Sequence, residues 1–166
     1  MKIKDVMTRE VHTSRPDSDL GMAAMQMWEG DFGVVPVVAN GGEVVGMITD
    51  RDICMATASM NKAPGAIRVE EIMKGEVYGC SPEAEIHEAL KTMQQRRVRR
   101  LPVIANGKIV GLLSLNDLAL KARSGAAVDL SVQDVEETLK AVCAHSTFAL
   151  GQPMKTFAAR VEAPLA

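Results

Sequence analysis

Apolar side chains recur at helical spacing in two places along this chain. Leu20, Ala23, Ala24 and Met27 stand at i, i+3, i+4 and i+7, and Ile86, Ala89, Leu90 and Met93 repeat that stripe 66 residues later. The spacing gathers four side chains on one face of a helix, and a cluster of serine, proline and acidic residues before each stripe reads as a helix start. Behind each stripe the pattern changes. Val34–Val38 and residues 100–104 are β-branched or apolar around a proline, and read as strands with the proline at an end or a bulge. Asn40-Gly41-Gly42 and Asn106-Gly107 mark tight turns into residues 43–48 and 108–113, which makes two hairpins by turn chemistry. A helix over 51–58 closes the first unit and one over 116–123 the second, while 3–7 and 69–73 read as opening helical turns and 11–13 and 77–80 as brief strands.

The chain is thus a tandem duplication. Glu10-Val11 aligns with Glu76-Val77 and Val35-Pro36-Val37 with Leu101-Pro102-Val103 at an offset of 66, and the extra glycine at Gly41-Gly42 changes the offset to 65. The predicted order is β-α-β-β-α twice, an α/β (α+β) fold with repeats at 1–60 and 69–124 and a linker at 61–68 rich in lysine, proline and glycine. Each repeat is marginal as an independent core, so the two are expected to pack on each other pseudo-symmetrically. Residues 125–166 lie outside the repeat; Val132, Val135, Leu139 and Val142 keep helical spacing and predict a C-terminal helix over 132–145, followed by a tail without clear period.

Both repeats carry the same heptapeptide frame, Gly-x-x-(Thr/Ser)-x-x-Asp, at Gly46 to Asp52 and at Gly111 to Asp117. A hydroxyl at the end of a strand with a carboxylate three residues on suits two roles. As a cap, Thr49 or Ser114 accepts from orphan helix amides while the acid complements the dipole. As a site, amides and hydroxyl take an anion while the carboxylate accepts from a diol such as ribose.

Composition narrows the function classes. A hydrophobic share of 47% argues for a folded chain, and a net charge of −2 gives no global field toward nucleic acid or anionic membrane. The run Arg96-Arg97-Val98-Arg99-Arg100 reads as a solvated helix end, so no nucleic-acid partner is expected. No signal-like or membrane-spanning stretch appears, and a cytoplasmic location is expected. Cys54, Cys80 and Cys143 lack metal or disulfide spacing and read as free thiols; His12, His87 and His145 are too dispersed for a metal site or a general base. No nucleophile–base pair or P-loop appears, so catalysis is not expected.

Two tandem copies of (Ile/Val)-Met-x-x-x-Val, proline-acidic, amphipathic helix, apolar-Pro-Val and Gly-x-x-(Thr/Ser)-x-x-Asp resemble a pair of CBS domains, or Bateman module, over residues 1–123. The resemblance implies a regulatory sensor that binds AMP, ADP or ATP, or else S-adenosylmethionine or an NAD-type ligand, with no cofactor required. It also implies a homodimer and a regulated protein that the sequence does not name. By position, one cleft would use Thr49 and Asp52 with Val77, Tyr78, Val98 and Arg100, and the other Ser114 and Asp117 with Val11, His12, Phe32 and Gly33. The aspartates would accept from ribose hydroxyls, and Thr49 and Ser114 would face phosphate.

The first cleft has Arg51, Arg99 and Arg100 where the second has Asn116, Gly33 and Val34, so the first is expected to bind anionic nucleotide more tightly. A ligand-independent dimeric scaffold, in which the motifs act only as caps, is the alternative. Trp28 reads as packing or dimer surface.

Overall fold

A computed structural model of the chain describes residues 1–125 and 128–144. Helix α1 (Leu20–Glu29) starts where the Asp19 carboxylate accepts from the Met22 amide at 2.9 Å, and it buries Leu20, Ala23 and Met27. Strands β1 (Val34–Val38) and β2 (Val44–Thr49) pair antiparallel from Val34 opposite Thr49 to Val38 opposite Val44. Helix α2 (Asp50–Met60) follows directly, and Asn61 in the left-handed conformation ends it. The second half repeats the order with α3 (Ile86–Arg96), β3 (Arg100–Ala105), β4 (Lys108–Ser114) and α4 (Leu115–Lys121). Helix α5 (Val132–Cys143) comes last; His145 and the tail lie outside the described residues.

The helices and hairpins stand where the apolar periods place them. Three local expectations change. The brief strands at 11–13 and 77–80 are single parallel bridges at Ser14 with Val37 and Cys80 with Val103, because Pro16 and Pro82 follow at once and have no amide to extend a ladder. Pro36 and Pro102 lie inside their strands, paired with Met47 and Leu112, and the bulges fall beyond them at Val37/Val38 and Val103/Ile104. Interior proline is tolerated because its missing donor faces the single-bridge side: the Pro36 carbonyl accepts from Ser14 and the Pro102 carbonyl from Cys80. Finally, α4 stops at Lys121, short of residue 123, as Arg123 exchanges backbone hydrogen bonds with Leu130 and Val132 at the entrance to α5.

The opening turns are exchanged between the repeats. Ile3, Val6 and Met7 are buried in the core built by α3, β3, β4 and α4, whereas Val69 and Ile72 are buried with Ile67 in the core of α1, β1, β2 and α2. Backbone hydrogen bonds fix the exchange symmetrically. Leu20 donates to Ile67 and Ile86 to Met1; Val69 donates to Ser18 and Ile3 to Ala84. Thr8 and Leu112 exchange both of their bonds at 2.9 Å, and Lys74 and Met47 do the same at 3.0 and 3.1 Å.

This exchange explains the glycine that opens each motif. A Cβ on Gly111 would lie 2.5 Å from the Met7 sulfur and 3.0 Å from the Thr8 carbonyl oxygen, and one on Gly46 would lie 2.8 Å from the Met73 sulfur and 3.1 Å from the Lys74 carbonyl oxygen. The methionines can turn aside, but the carbonyls belong to the hydrogen-bonded crossing.

Helix α5 covers α3 and α4. Thr138 is fully buried there, accepting from Gln94 Nε2 and donating to the Asp134 carbonyl, both at 2.8 Å. At the position of Gln94 the first repeat has Trp28, which is 84% exposed beside a helical face that also exposes Met22 and Met25 on α1 and Met55 on α2.

Gly111→Ala is expected to destabilise the fold by about 1–3 kcal/mol in chemical denaturation, the usual penalty for overpacking. Gly65→Ala, where a Cβ meets nothing within 4 Å, serves as the control and is expected within about 1 kcal/mol of the parent.

Candidate functional site

Each motif closes on itself as a capping box. Thr49 Oγ1 accepts from the Asp52 amide at 3.1 Å, and Asp52 Oδ2 accepts from the Thr49 amide at 3.1 Å and from its hydroxyl at 2.6 Å. Ser114 and Asp117 show the same bonds at 3.2, 2.8 and 2.6 Å. So do Ser131 and Asp134 at the start of α5, outside the repeat, at 3.1, 2.8 and 2.6 Å. The box is therefore a cap in all three places. A ligand site requires something beyond it.

At Asp117 that something is a cavity of about 360 Å³ between the two halves. The second half contributes Ser114, Asn116, Asp117, Leu112 and Arg100; the first contributes Asp31, Phe32 and Val34; and Thr8, Glu10, Val11 and His12 enter along the chain segment that crosses between them. The His12 and Phe32 rings stand 5.2 Å apart, tilted by 36°. Local geometry puts Phe32 there: Asp31 takes a left-handed conformation at φ 51° just after α1, and the Phe32 amide then returns to the Met27 carbonyl. Arg97 at φ 54° does the same for Val98 and Met93 in the second repeat.

Six of the seven residues assigned to the second cleft plus its motif thus meet around one cavity: Val11, His12, Phe32, Ser114, Asn116 and Asp117. Gly33 lines instead an adjoining cavity of about 490 Å³, with Trp28, Asp50, Cys54 and, shared between the two cavities, Asp31, Phe32 and Arg100. Arg100, expected on the first cleft, lies in the second because it is paired directly with Ser114 across β3 and β4, and opposed residues of paired strands project to the same face.

The first motif has different surroundings. Lys74 approaches Asp52 at 2.9 Å from Oδ1 and 3.3 Å from Oδ2, although the Asp52 side chain is only 17% exposed. Val77, Tyr78 and Val98 are half-buried, and the Arg96 guanidinium sits 4.6 Å from the centre of the Tyr78 ring. A hydrogen bond to Glu76, then burial, raises the Tyr78 phenol above its ordinary value. Arg51 and Arg99 are exposed.

Sequence reading missed Thr8, Lys74, Glu10 and Asp31. Thr8 and Lys74 occupy the same place at the 66-residue offset, but only the exchange of opening turns shows that this place adjoins the motif carboxylate.

The CBS domain family matches residues 3–59 and 69–123. The chain belongs to the CBS-domain family. The CBS domain-containing protein YhcV of Bacillus subtilis is 32% identical over 133 residues, which cover 80% of this chain and 94% of that protein. The crystal structure of Hypoxic Response Protein I with two coordinated zinc ions has a TM-score of 0.68 at 29% identity, over 74% of this chain and all of that one. The CBS domain pair of MJ0100, in complex with 5′-methylthioadenosine and S-adenosyl-L-methionine, has a TM-score of 0.66 at 23% identity over 72% of this chain and 94% of that one, a likeness of fold.

Among the described residues of this CBS pair, no group of three or more histidine, cysteine, aspartate or glutamate side chains is placed to hold a metal ion. None of their helices is long and apolar enough to cross a membrane. Burial pushes the Cys80 thiol up to about 12, while Cys54 and Cys143 are exposed. Alkylation by iodoacetamide at pH 8, followed by mass spectrometry, is therefore expected to label Cys54 and Cys143 at least about tenfold faster than Cys80.

Proposed function

We propose that this CBS pair is a regulatory module that binds an adenosine ligand, of the AMP, ADP, ATP, S-adenosylmethionine or NAD type, between its repeats. The observation that carries the reading is the cavity at Asp117, walled from both halves and large enough for a nucleoside-sized ligand. Asp117 Oδ1 is available to a ribose diol, since its partner is the Thr8 hydroxyl at 3.3 Å, long for a bond of this kind. His12 and Phe32 supply an aromatic wall for a base, and Arg100 a guanidinium for a phosphate. The MJ0100 pair, similar in fold, is in complex with adenosine compounds, which supports the reading.

The module works as a homodimer in this reading. Met22, Met25, Trp28 and Met55 form an exposed apolar face on α1 and α2, and a second copy would remove it from water. A partner protein then reads the arrangement that the ligand favours, and the ligand acts only through its different affinities for the alternative arrangements. The self-contained capping boxes favour the second reading, a scaffold whose motifs serve only as helix starts.

Scanning fluorimetry separates the two readings. A ligand at a hundred times its Kd is expected to raise Tm by roughly 5–10 °C, from about 2.7 kcal/mol of linkage, whereas no shift with any of the five ligand types supports the scaffold. By calorimetry Arg100→Ala is expected to weaken AMP about tenfold, the loss of one charge-assisted contact; unchanged AMP and ATP affinity removes Arg100 from the site.

A further inference from the structure

We infer that the two clefts are functionally unequal, and that Lys74 is the reason: its ammonium occupies the carboxylate of the first motif, leaving the Asp117 cleft as the single high-affinity nucleoside site of each chain. The inference rests on the proposed adenosine-binding function and specifies where that function resides.

The two opening segments are superimposable in their bonding. Thr8 pairs with Leu112 of β4, and Lys74 pairs with Met47 of β2, by the same reciprocal backbone bonds. The difference lies in the side chain presented to the motif aspartate. At Asp117 it is a hydroxyl, 3.3 Å from Oδ1, which can rotate away or itself bond to a ligand. At Asp52 it is an ammonium, 2.9 Å from Oδ1, while Oδ2 already accepts from the Thr49 amide and hydroxyl. Both oxygens of Asp52 are thereby engaged, and a sugar diol has to displace a charge-assisted bond to a carboxylate largely screened from water.

This reverses the expectation drawn from the arginines. Arg100 stands beside Ser114 and lines the second cleft, so the guanidinium expected to favour the first cleft serves the other. Position 74 thus acts as a selector built into the repeat: a lysine closes its cleft from within, and a threonine leaves it open.

Exchanging the two side chains tests this directly. Both lie on exposed residues and leave the backbone pairing intact, so Thr8→Lys and Lys74→Thr are expected to melt close to the parent. Calorimetry uses AMP and uncharged adenosine, so that attraction between Lys74 and phosphate is distinguishable from sugar binding. The parent is expected to bind one equivalent of each, Thr8→Lys to bind at least about tenfold more weakly, and Lys74→Thr to bind a second equivalent. Asp117→Asn is expected to lose the parent site and Asp52→Asn to retain it, a comparison that holds even if a lysine exchange fails to fold. Two equal sites in the parent, or unchanged affinity in Thr8→Lys, overturns the inference and leaves the proposed function standing. Absence of binding to the parent and to Lys74→Thr by both probes overturns the proposed function and this inference with it.

Discussion

The exchange of opening turns is the constraint on which the rest of the structure depends. Each core takes three apolar side chains from outside its own repeat: Ile3, Val6 and Met7 in one, and Val69, Ile72 and the linker residue Ile67 in the other. Neither core is complete without the other repeat. The same crossing brings a backbone carbonyl within about 3 Å of where a side chain would begin at Gly46 and Gly111, which is why the motif opens on glycine. It also lays residues 9–13 across the boundary, and that segment carries Val11 and His12 into the cavity. Folding and site therefore share one cause.

The halves are alike in bonding and unlike in what surrounds them. Helix α5 covers the second half's helices through Thr138 and Gln94, whereas the first half exposes Trp28 at the equivalent place. A fully buried hydroxyl is tolerable only with its donor and acceptor both matched, as Thr138 achieves with Gln94 and Asp134. Trp28 makes no such buried contact among the described residues, and no described helix covers its face of the first repeat. Its face is suited to an apolar surface instead.

Much of the fold was legible in the sequence because periodicity and turn chemistry act locally. The stripe from Leu20 to Met27, the Asn-Gly turns and the Thr49 and Ser114 caps are each decided within about ten residues, and the repeat doubles every signal. Val11, His12 and Phe32, which the family resemblance assigns to a base wall, line one cavity with Ser114 and Asp117. What was not legible is pairing across the repeats. Nothing local shows that Ile3 belongs to a core starting at Ile86, or that Lys74 faces Asp52 rather than solvent. The side on which Arg100 lies is hidden for a related reason: strand register sets it beside Ser114, and register is a property of the pair. The motif itself was ambiguous in sequence and remains so in isolation, since Ser131 and Asp134 reproduce its hydrogen bonds without belonging to a repeat.

The crossing also limits what a ligand can do to this molecule. Residue 8 is fixed to the second half through Leu112, and residue 14 to the first through Pro36 and Val38. Six residues of chain reach at most about 20 Å when fully extended, and residues 74 and 80 form the reciprocal tether between Met47 and Val103. Two short tethers running in opposite senses hold the halves together, and a bridge between Glu43 and Lys108 joins their hairpins directly. A ligand in a cavity whose walls belong to both halves would act on the relation between them only in proportion to how differently it fits their alternative arrangements. The helices carrying Met22, Met25, Trp28 and Met55 belong to the first half, whereas α5 packs on the second. A small rotation at Asp117 would thus alter the relation between the apolar face and the C-terminal helix, the two features in which the repeats differ most.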